Sequence, residues 1–112
     1  MAQSKSERFD PELVALAQFA GALSHPARLE ILEKLATTAS CICGDFVQVL
    51  PLAQSTVSQH LKALKDVGLV DGEVEGPRTC YCLNLKACEK MATLVNNFIQ
   101  KIRTKQGDES CC

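Results

Sequence analysis

The stretch CICGDFVQVLPLAQSTVSQHLKALKDVG, residues Cys41–Gly68, decides the fold of this chain. It opens with two thiols, in Cys41-Ile42-Cys43, and a short helical pattern then runs to Pro51, a residue that ends helices. A second helical pattern covers residues 54–66. We therefore predict two short helices joined by a tight turn, the first of them beginning at about position 42 or 44.

The second of these helices is predicted to be amphipathic. Val57, Leu61 and Leu64 recur at the i, i+4, i+7 spacing of one buried face. The opposite face is polar and basic, and there glutamine can read adenine edges while serine, threonine and lysine anchor phosphates. We predict a DNA-reading helix with the outer residues Gln54, Ser55, Thr56, Ser58, Gln59, His60 and Lys62. The alternative is a merely solvated polar face.

Two further helices precede this stretch. Asp10 and Pro11 fit the N-cap and first turn of a helix that runs to about Leu23. Ser24 is the expected N-cap of the next helix, which has Pro26 near its first position. The apolar stripe predicted to bury this second helix consists of Leu29, Leu32, Leu35 and Ala36.

A hairpin and a long helix follow the stretch. The runs 69–74 and 79–85 are extended patterns separated by Glu75-Gly76-Pro77-Arg78, which predicts a β-hairpin. Arg78 would lie at its tip, in reach of a DNA phosphate or a minor groove. Residues 86–104 form a helical pattern with a wide apolar face.

The resulting order is helix, helix, helix-turn-helix, hairpin, helix. This is a mostly α (α+β) fold class, a winged helix-turn-helix with an additional helix at each end. The first and last helices carry more apolar surface than one small chain can bury. We therefore expect a homodimer packed through these helices, which places two DNA-reading helices about one DNA turn apart.

Composition indicates one globular domain, because the 112 residues are 46% hydrophobic and 22% charged. We expect a flexible N-terminus at 1–9, the winged helix-turn-helix domain at 10–104 and a flexible, cysteine-containing tail at 105–112. No apolar run approaches the ~20 residues of a membrane span, and the first residues lack the apolar segment of a signal peptide. A cytoplasmic location and no membrane partner are predicted. The net charge of −1 means that a DNA-binding surface must be local.

Seven cysteines are many for a chain of this size. They form two C-x-C pairs and a terminal pair, a spacing that favours metal ligation or redox sensing over a disulfide framework. Thiolates select soft ions such as arsenite, antimonite, cadmium or lead. Within a helix, the side chains of Cys41 and Cys43 would point about 200° apart. An ion that binds both must therefore keep this segment extended, which would disturb the DNA-reading helix.

Several segments together resemble the ArsR/SmtB family of metal- and metalloid-responsive repressors. They are LSHPARLEILEKL at 23–35, CICGDF at 41–46, AQSTVSQHLKAL at 53–64, GLV at 68–70 and the EGPRTCYCL wing. The resemblance implies a homodimeric repressor that occupies double-stranded operator DNA and leaves it when an inducer binds. It also implies As(III) or Sb(III) as the inducer, bound through Cys41 and Cys43, and no organic cofactor.

The sequence departs from that family's pattern at the expected third ligand. Arsenic-sensing members with this C-x-C usually carry a third cysteine where Phe46 stands here. Either the third thiol comes from elsewhere, with Cys111 and Cys112 in the tail as candidates, or only two thiols are used. Cys80 and Cys82 share one face of the wing strand and offer another soft-ion site, although half-buried strand residues are the commoner reading.

Three alternatives stay open at this level. A cadmium or lead sensor uses the same fold and the same thiols. A thiol-redox-responsive repressor would close cysteine pairs into disulfides. An enzyme is disfavoured, since no Ser/His/Asp set, glycine-rich phosphate loop or paired carboxylates stand out. Cys88, near the start of the last helix, is predicted to belong to the core.

Overall fold

The computed structural model describes residues 8–37, 42–43, 53–75 and 78–107. Its elements in chain order are α1 (Pro11–Ala22), α2 (Pro26–Ala36), β1 (Ile42–Cys43), α3 (Gln54–Asp66), β2 (Val70–Glu75), β3 (Arg78–Leu83) and α4 (Leu85–Gln106). The three strands form one antiparallel sheet in the order β1-β3-β2. The mostly α winged helix-turn-helix prediction is confirmed. The predicted helical pattern at 44–50 and the hairpin turn at 76–77 lie outside the described residues.

The N-terminal ends of the helices follow side-chain capping. Asp10 caps α1 as predicted, because its Oδ1 accepts a hydrogen bond from the Glu12 amide at 2.9 Å. The prediction that Ser24 caps α2 was wrong. His25 holds that position, and its Nδ1 accepts from the Ala27 amide at 3.0 Å, while the Ser24 hydroxyl donates back to a carbonyl of α1.

Helix α3 ends in a Schellman motif built on Gly68. This glycine has φ +87°, the left-handed region that a glycine closing a helix commonly adopts. Its amide donates to the Lys65 carbonyl at 2.9 Å, and the Leu69 amide donates to the Leu64 carbonyl at 3.1 Å. Leu64 and Leu69 are both fully buried, which supplies the apolar contact that accompanies this motif.

The core lies between α2, α3 and the start of the sheet. Its most buried side chains are Ile31, Leu64, Leu69 and Val70, and the three predicted inward residues of α3 are buried with them. The stripe predicted for α2 was partly wrong. Leu35 is buried, but Leu29 is 47% exposed and Ala36 is exposed, because the buried face of α2 runs through Ala27, Ile31 and Leu35.

Helix α4 lies against α1 and carries no buried residue. Asn84 caps it, accepting from the Ala87 amide at 3.1 Å. The helix ends at Gln106, so it extends two residues into the predicted tail. Val95, Ile99 and Ile102 are each exposed by two fifths or more. An apolar face of α4 thus remains uncovered in the single chain.

Candidate DNA interface and thiol site

The outward face of α3 is polar in the structure. Ser55, Ser58, Gln59 and Lys62 are exposed, and Thr56 is half-buried. The side chain of Gln54 lies outside the described part. Burial of Val57, Leu61 and Leu64 against the core fixes the rotation of the helix, since these three residues occupy its opposite side. The predicted polar surface is therefore present for the described residues, with one exception.

The exception is His60, whose predicted place on the outer face was wrong. It is one of the buried residues, with 7% of its surface exposed. Its Nδ1 accepts a hydrogen bond from Arg28 Nε at 3.0 Å, and its ring centroid lies 4.5 Å from that of His25. Position 60 lies on the border between the two faces of α3, and only tertiary packing decided to which side the ring turned.

Arg28 joins three helices around this histidine. From α2, its Nη1 donates to the Gly21 carbonyl at 3.1 Å and to the Ala22 carbonyl at 3.5 Å, at the end of α1. A cation at a helix C-terminus satisfies carbonyls that lack intrahelical partners. Together with the bond to His60, these contacts fasten α3 to the end of α1. No local pattern around Arg28 indicates this role.

The pKa of His60 is lowered from its ordinary value of 6.5. Burial is the main cause, because it penalises the charged imidazolium, and the positive potentials of His25 and Arg28 add to it. At neutral pH the ring is therefore neutral. It serves as a structural hydrogen-bond acceptor and offers no charge to a phosphate.

Lys62 is held by an ion pair on the exposed face. Its Nζ lies 3.1 Å from Asp66 Oδ2, with the two side chains 75% and 61% exposed. An exposed i, i+4 pair of this kind contributes only about 0.3–0.5 kcal/mol. A DNA phosphate can therefore compete with Asp66 for the ammonium group.

The second half of the C-x-C motif lies on a strand. Ile42 and Cys43 form β1, where Ile42 pairs with Tyr81 and Cys43 with Cys80 of the wing strand β3. The prediction that a helix begins at about Ile42 was wrong, since this residue is extended and hydrogen-bonded to the sheet. Cys41 lies outside the described residues, as do Cys111 and Cys112.

The wing cysteines are in a different chemical state from Cys88. Cys80 and Cys82 are both disulfide-bonded and half-buried. Cys88 is free and packs against the core, as predicted. Burial, with the neighbouring Glu89 carboxylate, raises the pKa of the Cys88 thiol. Cys88 is thus poorly suited to bind an ion as a thiolate.

Other predicted site residues lie wholly or partly outside the described part of the chain. Arg78 opens β3 opposite Glu75, and its side chain lies outside the described part. Among the described side chains, no group of three or more His, Cys, Asp or Glu residues could hold a metal ion. Cys41 and the side chain of Cys43, the two residues predicted first as ligands, lie outside this described part.

Comparison with known proteins identifies the family of this chain. The family model described as "Bacterial regulatory protein, arsR family" matches residues 25–71, which span α2, β1 and α3. The Arsenical resistance operon repressor of Bacillus subtilis strain 168 is 34% identical over 92 residues, covering 81% of this chain and 84% of that protein. This chain belongs to the ArsR family.

Two solved structures share the ArsR-family fold. An ArsR-like transcriptional regulator from Rhodococcus sp. RHA1 superposes with a TM-score of 0.65 at 25% identity, covering 88% of this chain and 97% of the other. The NMR structure of the cadmium metal-sensor CMTR from Mycobacterium tuberculosis gives a TM-score of 0.50 at 32% identity, covering 87% and 96%. The chain is thus an ArsR-family, DNA-binding transcriptional repressor. No helix in the described ranges is long and apolar enough to cross a membrane.

Proposed function

We propose that α3 is the helix with which this ArsR-family repressor reads its operator. In support, its exposed face carries Ser58, Gln59 and Lys62 while its apolar face is locked into the core. Gln59 is suited to a base edge and the hydroxyl and ammonium groups to phosphates. Gln54 and Arg78 belong to the same proposed surface, and His60 does not.

The repressor acts in this proposal as a homodimer. The support is the uncovered apolar face of α4, with Val95, Ile99 and Ile102, beside α1. When two chains pack about a two-fold axis along these helices, the same patch is buried on both chains. It also presents two copies of α3 to successive turns of the operator.

The inducer is proposed to be As(III) or Sb(III), bound by thiolates that include Cys41 and Cys43. The observation that supports this is the extended backbone of Ile42 and Cys43, which pairs with the wing strand. Side chains two residues apart on a strand share one face, so both thiols can reach one soft ion. The name of the Bacillus relative, an arsenical resistance repressor, points the same way.

A gel shift on the DNA upstream of the protein's own gene tests this function. The reduced protein is titrated with arsenite, antimonite, cadmium, zinc and diamide in parallel. We expect arsenite and antimonite to release the DNA at the lowest concentrations. Retention of the operator at saturating arsenite would contradict the assigned inducer.

The DNA-reading role has its own matched pair of variants. Gln59→Ala should weaken operator binding by about 1–3 kcal/mol if it loses a base contact. Gln18→Ala removes an equally exposed glutamine from α1 and should leave affinity unchanged. Equal affinities for the two variants would remove α3 from the interface.

Two other triggers are each favoured by one observation. The likeness to the cadmium sensor CMTR favours cadmium or lead at the same thiols. The disulfide-bonded state of Cys80 and Cys82 favours thiol oxidation. The cadmium and diamide arms of the gel shift separate these triggers from arsenite.

A further inference from the structure

Cys43 of one C-x-C motif lies opposite Cys80 of the other, across the strands β1 and β3. The antiparallel register pairs Cys43 with Cys80 and Ile42 with Tyr81. Residues directly opposite each other in such a ladder share a face of the sheet, with Cβ atoms about 4.5–5.5 Å apart. Cys82 follows Cys80 by two residues on the same strand, so it lies on that face as well.

The bonding state of the wing cysteines points to the same neighbours. Cys80 and Cys82 are disulfide-bonded, whereas Cys88 is free. Cysteines two apart on one extended strand are too far from each other for a disulfide, which needs Cβ atoms about 3.5–4.5 Å apart. The partners must therefore come from the other four of the seven cysteines. Of these, Cys43 has its Cα directly opposite Cys80.

We propose that Cys80 and Cys82 supply the ligands that complete the thiolate site begun by Cys41 and Cys43. The proposal draws on the pairing of Cys43 with Cys80 and on the face that Cys82 shares with Cys80. It rests on the proposed function, because it names the missing ligands of that same inducer site. The wing strand, and not the tail with Cys111 and Cys112, is then the second half of the sensor.

The chemistry requires the thiols to be reduced. Arsenous acid condenses with three thiols, so that three As–S bonds replace three As–O bonds and three water molecules leave, without any change of oxidation state. Four thiols would also match the four-coordinate preference of softer divalent ions. The thiol group of Cys88 takes no part.

The position of the site couples it to α3. Tyr81 lies between the two wing cysteines and points to the other face of the sheet, where it packs against the core. An ideal Cβ on Gly72 would lie 2.9 Å from Tyr81 Cε1 and 3.7 Å from Lys65 Cδ of α3. An ion that pulls β1 and β3 together therefore acts on a strand that pairs with β2, and β2 contacts the DNA-reading helix.

The first test is arsenite binding by the reduced full-length protein, followed by the near-ultraviolet sulfur-to-arsenic absorption. Cys80→Ser and Cys82→Ser should each weaken binding at least about tenfold, since loss of even an outer-shell partner costs that much at metal sites. Cys88→Ser and the double variant Cys111→Ser, Cys112→Ser are the matched controls and should bind as the wild type does. Operator affinity without arsenite confirms that each variant is folded.

The outcomes separate the two proposals. If the wing variants bind arsenite normally while Cys41→Ser and Cys43→Ser do not, the wing ligands are refuted and the proposed function stands. If the tail double variant loses binding and the wing variants keep it, the third ligand lies in the tail. If the wild type binds arsenite but keeps its operator in the gel shift, the inducer role fails while the ligand set remains.

A second measurement does not depend on variants. Diamide accepts two electrons and two protons for each disulfide formed from two thiols, and tryptic digestion then yields peptides 35–62 and 79–86. We expect these two peptides to be joined within one chain by two disulfides, with the loss of four hydrogens. Disulfides that instead connect peptide 79–86 to the C-terminal peptide, or to a second chain, would overturn the proposal.

Discussion

At the scale of single residues, the buried imidazole of His60 is held at an energetic cost. Its Nδ1 accepts from Arg28, so the neutral ring must hold its proton on Nε2. That nitrogen is buried without a hydrogen-bond partner among the described residues. An unsatisfied buried donor costs about 1–3 kcal/mol. The contact is retained because Arg28 fastens α3 to α1 through this ring.

The lowered pKa of His60 makes the stability depend on pH with a definite sign. Above its ordinary value of 6.5, the ring is neutral in both states and its contribution is fully present. As the pH falls from there through the folded-state pKa, the unfolded chain binds a proton that the folded chain does not, so stability is lost. The loss is at most about 1.4 kcal/mol per pH unit.

Urea unfolding of the wild type and of His60→Gln between pH 8 and pH 5 measures this. Glutamine can still accept a hydrogen bond from Arg28, and the carboxylates that also titrate are common to both proteins. The wild type should lose more stability on acidification than the variant. Parallel pH profiles would mean that His60 is protonated equally in the folded and unfolded states.

At the scale of elements, the wing depends on a close approach between β2 and β3. Gly72 pairs with Tyr81, and an added Cβ would lie 2.9 Å from Cε1 and 3.0 Å from Cδ1 of that ring. The ring packs against the core and cannot retreat freely. Gly72→Ala should therefore reduce the free energy of unfolding by about 1–3 kcal/mol.

Gly21→Ala is the matched control for this prediction. Position 21 lies in α1, and an added Cβ there meets nothing within 4 Å. Alanine is about 0.5–1 kcal/mol better than glycine inside a helix, so this variant should be more stable than the wild type. Chemical denaturation measures the change in the free energy of unfolding for each variant, and the two changes should have opposite signs. A Gly72→Ala protein as stable as the wild type would show that the ring moves without cost.

At the scale of the whole molecule, the apolar face of α4 calls for a second copy of the chain. Ile99 lies near the centre of this apolar face and is 41% exposed. Ile99→Glu places a charge where the proposed dimer excludes water, and it should convert the dimer to a monomer in sedimentation experiments. Gln100→Glu adds the same charge at the adjacent exposed position of the helix and should stay dimeric. A dimer that survives Ile99→Glu would place the interface elsewhere.

The sequence by itself determined the features that depend on local spacing. Hydrophobic periodicity predicted α3 and its buried residues. Asp10 and Gly68 indicated a helix start and a helix end, and two extended runs indicated the wing. Each of these signals lies within a few residues of its effect, so it can be read without the fold. The polar face of α3 followed from the same period.

Tertiary structure alone decided what depends on contacts between distant segments. It turned His60 inward onto Arg28, exposed Leu29, and made Ile42 and Cys43 a strand by pairing them with β3. The register that sets Cys43 opposite Cys80 joins residues far apart in the chain, and no local propensity encodes it. Strand pairing and burial are properties of the neighbours that the fold supplies, which is why a two-residue strand could not be read from its own sequence.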